Sequence, residues 1–463
     1  MTASNTAAIV LAAGLGTRMN SDVPKALHPI AGRAMIGHVL DQLEALGCAR
    51  IVAVISPDMA AIAAIADGGF APAVTAIQHQ PLGTGHAALA AKDALDGFSG
   101  DVLILYADTP LITEATLSAL LAVRKAANGP AVAVLGFRLG DGAEYGRMVT
   151  LRDGALEAIV EFRDADAGQR AIGLCNGGAM AVDGEVLFGL LDSLGDDNAK
   201  GEIYLTDIVA AARAAGHDCA VVEAEDPVEV LGINSRADLA RAEAAMQHRL
   251  REAAMNGGAT LIDPATVWFS FDTRLGRDVT VGPNVVFGPG VSVADNVEIR
   301  GFCHIEGADV GHGALIGPFA RLRPGAEIGA QVHVGNFVEI KEARLESGVK
   351  VNHLSYVGDS SVGEGANIGA GTITCNYDGF FKERTVIGAG AFIGSNAALV
   401  APVRIGPGAV IGAGSVITKD VAGDAMAVTR AEQVEIKGGA VRYRAAKQAK
   451  KDAAKGSGRK KAG

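Results

Sequence analysis

The chain has 463 residues, of which 49% are hydrophobic, 20% charged and 5% aromatic; this supplies two or three packed domains and excludes a disordered polymer. Its 61 glycines follow no Gly-X-Y period, which excludes collagen. The formal charge is −11, residues 442–463 hold nine Lys/Arg against one Asp (+8), and the body therefore carries −19, the difference of the two; so acidic a body predicts no nucleic-acid partner.

Residues 6–11 form an apolar run followed by Leu11-Ala12-Ala13-Gly14-Leu15-Gly16-Thr17-Arg18-Met19, with Pro24-Lys25 beyond. Small residues let backbone N–H groups approach a phosphate, and Arg18 and Lys25 add charge. The loop is neither a P-loop nor G-x-G-x-x-G. Further strands are predicted over 51–55, 102–106 and 132–137, with helices over 35–46 and 114–127. Such alternation predicts a mainly parallel sheet with ligands at the carboxyl ends of its strands. Asp108 stands at one such end.

Residues 235–255, rich in Ala, Arg and Glu and closed by Gly257-Gly258, predict one helix of roughly 30 Å, expected to hold two domains apart. Beyond it an aliphatic or aromatic residue recurs every six: Leu275, Val281, Phe287, Val293, Ile299 and Ile305; after a slip of one, Val310, Ile316, Leu322, Ile328, Val334 and Ile340; and again Ile387, Ile393, Leu399, Ile405, Ile411 and Ile417. A period of six suits a solenoid of short strands and tight corners, about 18 residues per triangular coil. Residues 372–385 (TITCNYDGFFKERT) break the period and predict an ejected loop. Residues 447–461 read as a solvated basic tail. Zinc held by His304, His312, His333 and His353 would need a paired spacing that these histidines lack.

No apolar run reaches the roughly 18–20 residues of a membrane span, and residues 1–8 lack the basic lead of a signal peptide. Cys48, Cys175, Cys219, Cys303 and Cys375 form no C-x-x-C pair and predict reduced thiols in a cytoplasmic protein.

The string L-x-x-G-x-G-T-R-M…P-K resembles the signature of sugar-1-phosphate nucleotidylyltransferases. With the hexads behind it, the chain from about residue 8 to 430 resembles the bifunctional N-acetylglucosamine-1-phosphate uridylyltransferase/glucosamine-1-phosphate N-acetyltransferase family. The resemblance implies an α/β Rossmann-like nucleotidylyltransferase domain over 1–234 and a connecting helix over 235–258. A left-handed parallel β-helix of hexapeptide repeats, the acetyltransferase, follows over 259–437, with a basic tail over 438–463. It also implies a homotrimer through the β-helix, with acetyl-CoA sites between chains. The partners are then small-molecule substrates, in the supply of peptidoglycan and lipopolysaccharide precursors.

In that family the first domain takes UTP, a sugar phosphate and Mg²⁺. Leu11, Ala12, Ala13, Gly14, Lys25, Gln78, Gly83, Thr84, Tyr106 and Asp108 match its UTP positions. Gly146, Glu161, Asn176 and Asn234 match its sugar positions, and Asp108 and Asn234 its metal positions, a sparse oxygen set that suits Mg²⁺. Ala107 stands where the family usually has Gly, and Gly177 where Thr is commoner. The implied reaction is in-line attack of the sugar phosphate on the α-phosphorus of UTP, with Arg18 and Lys25 neutralising charge and no covalent intermediate.

In the second domain His353 matches the general base that takes a proton from the sugar amine, and Glu339 is expected to orient it. Arg323, Lys341, Tyr356, Asn367, Asn376 and Tyr377 match substrate positions, with Asn376 expected to polarise the thioester carbonyl. Ala370, Ser395, Ala413 and Arg430 match acetyl-CoA positions. The alternative is a nucleotidylyltransferase alone with a scaffold-only β-helix, against which the His353, Lys341 and Asn376-Tyr377 clusters speak.

Overall fold

The computed structural model describes residues 5–14, 16–69, 73–139 and 144–459. Leu15 of the glycine loop and residues 460–463 of the basic tail lie outside them. The chain divides into two compact units between Gly307 and Ala308.

The first unit opens with a nine-stranded sheet: β1 (Thr6–Leu11), β2 (Arg50–Ile55), β3 (Ala73–Ile77), β4 (Asp101–Tyr106), β5 (Val132–Arg138), β6 (Arg147–Thr150), β7 (Leu156–Val160), β8 (Leu174–Asp183) and β9 (Cys219–Glu223). The main order is β9-β5-β8-β4-β1-β2-β3. All of these run parallel except β8, which is antiparallel to β4 and β5. Side chains alternate across a strand, so each strand feeds two cores. Ala8, Val10, Ile51, Ala53, Leu103 and Leu105 bury into one, and Ala7, Ile9, Val52, Val54, Val102 and Ile104 into the other. Helix α1 (Met35–Ala45) covers the first core with Leu40 and Leu43, and α2 (Glu114–Arg124) adds Leu117 and Leu120. Burial on both faces explains why β1 reads TAAIVL without polar alternation.

The predicted linker helix exists as α3 (Arg236–Asn256), with Ser235 and Asp238 closing a capping box. It is packed along one face. Leu239, Ala242, Met246 and Leu250 form a stripe at helical spacing that packs with Ile30, Ala31, Met35, Leu111 and Phe271. Ala31 donates its N–H to Glu243 Oε2 at 2.8 Å, and its carbonyl accepts from the Phe271 N–H at 2.8 Å. Gln247 clamps Phe269, accepting its N–H at 2.8 Å and donating to its carbonyl at 2.7 Å. The apolar stripe needs burial, and the residues opposite it supply that burial.

In the second unit, and over the coils that precede it, strands of mostly two or three residues pair in parallel. Every hexad residue named above is buried except Leu275. The coil also continues through the stretch where the period is hidden, with Leu345, Val351, Val357, Val362 and Ile368 buried. Arg321 pairs with Glu339 at an offset of 18, but Glu339 pairs with Tyr356, and His333 with Lys350, at 17. One residue fewer per coil shifts the hexad register there. The loop after Cys375 is ejected as expected, leaving Phe380 and Phe381 exposed. The basic tail forms the helix α4 (Gly439–Arg459), exposed over 440–453, because its Ala, Lys, Gln and Arg are good helix formers. Among the described residues no helix is long and apolar enough to cross a membrane. All five cysteines are free, and burial pushes the Cys48 and Cys219 thiols up to about 11.

Ile340 points into the coil at 0% exposure, whereas Glu327 lies on the outside. Ile340→Ala is expected to cost about 2–5 kcal/mol and Glu327→Ala no more than about 0.5 kcal/mol, as read from denaturant unfolding of the purified protein. Equal effects would contradict the inward assignment of the hexads.

Candidate active sites

The turn after β1 carries the glycine loop to the carboxyl edge of the sheet. There Leu11, Ala12, Ala13, Gly14, Lys25, Gln78, Gly83, Thr84, Tyr106 and Asp108 line one cavity of about 470 Å³. All ten UTP positions expected from the sequence are thus brought together. Gly83 has φ +115°, and a Cβ there would lie 2.4 Å from the Ile203 carbonyl oxygen, so only glycine fits. Ile203 binds this loop on both sides: its N–H donates to Leu82 O at 2.8 Å and its carbonyl accepts from Gly85 N at 2.9 Å. Thr84 Oγ1 accepts from Leu205 N at 3.0 Å, and Gln78 donates to Gly83 O at 3.0 Å. Ala107, in place of the usual glycine, is 2% exposed within the core and donates its N–H to Leu11 O at 3.1 Å.

Asp108 and Asn234 lie far apart in sequence but converge on one ammonium. Lys25 Nζ pairs with Asp108 Oδ2 and donates to Asn234 Oδ1 at 3.1 Å. Arg18 Nη2 donates to the same Asn234 oxygen at 2.9 Å. A carboxylate and an amide oxygen that meet at one cation suit a hard divalent ion that keeps water and phosphate as its other ligands.

Arg18 and Asn234 also border a second cavity, of about 610 Å³, with Tyr145, Glu161, Lys200, Tyr204 and Arg241. Asn176 N donates to Gly146 O at 2.9 Å, and a Cβ on Gly146 would lie 3.7 Å from Glu161 Oε1, so these three sugar positions are neighbours, and Glu161 shares the second cavity with Asn234. Burial pushes the Glu161 carboxyl above the usual range, while the Thr206 hydroxyl, donating at 3.2 Å, pulls the other way. Gly177 has a local reason: a Cβ there would lie 2.9 Å from Leu135 O and 3.0 Å from Val230 Cγ1, so the threonine common in the family would not fit without a shift. Glu202 in the first cavity and Lys200 and Tyr204 in the second were not singled out from the sequence; the polar residues of Lys200-Gly201-Glu202-Ile203-Tyr204-Leu205-Thr206-Asp207 were the available signal.

In the second unit, Arg323 Nη1 donates to Glu339 Oε1 at 2.9 Å. Lys341, Tyr356 and Asn376 gather around Asp359, a residue not anticipated. Lys341 Nζ stands 4.0 Å from Asp359 Oδ2, Asn376 Nδ2 donates to that same oxygen, and Asn376 also donates to the Tyr356 hydroxyl at 3.2 Å. Asn367 lies on the strand beside the one bearing His353 and pairs there with Lys350, the first residue of the His353 strand. Tyr377 is exposed, and its hydroxyl donates to Gly379 O at 2.7 Å. Ala370, Ser395 and Ala413 stack on successive coils: Asn396 N donates to Ala370 O at 2.7 Å and Gly414 N to Ser395 O at 2.8 Å. Arg430 closes the column by donating to Ala413 O at 2.7 Å.

His353 is exposed. The expected orienting role of Glu339 is not what the structure contains. Glu339 is engaged by Arg323, and the imidazole Nδ1 instead meets Asn336 Oδ1 at 2.8 Å.

Fold and sites together define a two-part transferase, a nucleotidyltransferase domain followed by hexapeptide-repeat coils. The MobA-like NTP transferase domain matches residues 8–174, and the bacterial transferase hexapeptide repeat matches 272–307 and 384–419. The bifunctional protein GlmU of Paramagnetospirillum magneticum is 60% identical over 455 residues, 98% of this chain and 100% of that one. That of Rhodospirillum rubrum is 61% identical over 442 residues, covering 96% and 98%. That of Sphingopyxis alaskensis is 54% identical over 447 residues, covering 96% and 98%. The chain belongs to the bifunctional GlmU family.

Because burial raises the Glu161 carboxyl, the native state binds more protons than the unfolded chain between the two pKa values, and stability falls as pH rises through that window. Glu161→Gln is therefore expected to match or exceed the wild type in thermal midpoint at neutral pH, with the gap closing on acidification. A gap that widens as pH falls would contradict the assignment.

Proposed function

We infer that this enzyme acetylates glucosamine 1-phosphate from acetyl-CoA in its β-helix. It then transfers UMP from UTP to the product in its nucleotidyltransferase domain, releasing pyrophosphate and giving UDP-N-acetylglucosamine. The domain limits that fit this reading are 1–234, a linker over 235–258, 259–437 and a tail over 438–463. The observation that carries the first activity is the polar cluster that joins Lys25 and Asp108 of one cavity to Arg18 and Asn234 of the other.

For uridylyl transfer, the Leu11–Gly14 backbone, Gln78, Gly83, Thr84 and Tyr106 hold the nucleotide in the first cavity. Glu161 and Asn234 of the second cavity, with Gly146 and Asn176 beside Glu161, hold the sugar phosphate. Arg18 and Lys25 stand at the junction, where charge builds on the α-phosphate as the sugar phosphate oxygen attacks in line and pyrophosphate leaves. Asp108 and Asn234 would hold Mg²⁺, which when bound supplies further charge neutralisation on phosphate oxygens. No side-chain base is needed, since the attacking phosphate is already ionised.

For acetyl transfer, Arg323 and Lys341 attract the sugar's phosphate, while Tyr356, Asn367 and Tyr377 contact the sugar. His353 takes the ammonium proton as the amine attacks the thioester, with Asn376 as donor to the carbonyl. Ala370, Ser395 and Ala413 offer a small-residue column for the pantetheine arm, ending at Arg430 beside a CoA phosphate. A homotrimer through the β-helix accords with Phe319 and Phe337, stacked at 5.1 Å yet 44% and 55% exposed, and with Leu354 at 62% exposure. Free thiols and freely diffusing co-substrates accord with a cytoplasmic enzyme.

Paired variants test the assignment. His353→Ala is expected to lower acetyl transfer by about 10²–10⁴-fold and leave uridylyl transfer intact. Asp108→Asn is expected to do the reverse, lowering pyrophosphate release by about 10²-fold or more. Loss of both activities in either variant, or of neither, would contradict two separate sites.

A further inference from the structure

We propose that Asn336 is a positioning residue for acetyl transfer, fixing the tautomer of His353 so that the Nε2 lone pair faces the reacting amine; this rests on the reading of His353 as the base. Asn336 ends the strand His333–Asn336, His353 ends the strand Lys350–His353, and the two residues are direct partners in the ladder. Asn336 is tied down on its own account, its carbonyl accepting the Leu354 N–H at 3.0 Å. Its side-chain oxygen then lies 2.8 Å from the imidazole Nδ1.

An amide oxygen has no proton to give, so Nδ1 must carry the hydrogen of the contact, and in a neutral imidazole the lone pair is then left on Nε2. Glu339, the carboxylate three residues beyond Asn336, is held by Arg323 at 2.9 Å. A neutral acceptor sets the tautomer without placing a negative charge against the ring. In the reaction Nε2 takes the amine proton as the N–C(acyl) bond forms and the C–S bond breaks, and the departing sulfur receives that proton from Nε2. The Nδ1–H bond to Asn336 persists throughout, so the ring does not turn between the two transfers.

The test compares Asn336→Leu, of similar size but without an acceptor, with Asn336→Asp, which keeps an oxygen there. Uridylyl transfer by the same preparations reports folding. Asn336→Leu is expected to lower kcat of acetyl transfer by about 10²-fold with little change in KM for either substrate, while Asn336→Asp stays within about ten-fold of wild type. In protein labelled with [¹⁵N]histidine, the resonance lost in His353→Ala is expected to report Nδ1–H in the wild type and to move toward Nε2–H in Asn336→Leu. Normal kcat in Asn336→Leu beside an inactive His353→Ala overturns the proposal alone. A kcat loss with an unmoved tautomer overturns it as well. Full acetyl transfer in His353→Ala removes the base reading and the proposal together.

Discussion

Attraction between cations and oxygens at the carboxyl edge of the sheet organises the first site. Lys25 and Arg18 come from the segment after β1, Asp108 from the end of β4, and Asn234 from the approach to α3. No local propensity would hold these segments together. They meet because a parallel sheet points its strand ends to one side, and because opposite partial charges there are partly shielded from water. The same cluster links the linings of two cavities, Lys25 and Asp108 in one and Arg18 and Asn234 in the other.

The second site obeys a different constraint. In a coil whose interior is filled by alternate residues of each edge, such as Val332 and Val334, outward positions are left for chemistry. Parallel pairing stacks residues from successive coils, so Glu339 stands beside Tyr356, Lys341 beside Gly358 and Asn336 beside His353. The offset of 17 in place of 18 falls at the coils that carry Asn336, Glu339, His353 and Tyr356. The scaffold there gives up one residue per coil and keeps its buried column.

Much of this was legible in the chain. Glycine-loop residues follow directly on a strand, and hexads keep their register over many turns, so local spacing alone located one site edge and one whole architecture. Partnerships were less legible. Asn336 and Asp359 belong to His353 and Asn376 through coil stacking, and the shortened coil hides which residues are neighbours. The role given to Glu339 failed because Arg323, from the preceding coil, competes for it. The helix α3 was legible as a helix but not as a packed one, since its stripe of Leu239, Ala242, Met246 and Leu250 gains meaning only opposite Ile30 and Met35.

The central claim is that one polypeptide holds two chemically independent pockets, one working on an amine and the other on a phosphate. Following free thiol and pyrophosphate separately in wild-type enzyme supplied with glucosamine 1-phosphate, UTP and Mg²⁺ measures this most directly. Pyrophosphate is expected to appear only after a lag once acetyl-CoA is added, with thiol release leading it, and thiol release is expected to persist when UTP is withheld. Pyrophosphate formed at the full rate without acetyl-CoA, or thiol release that requires UTP, would contradict it.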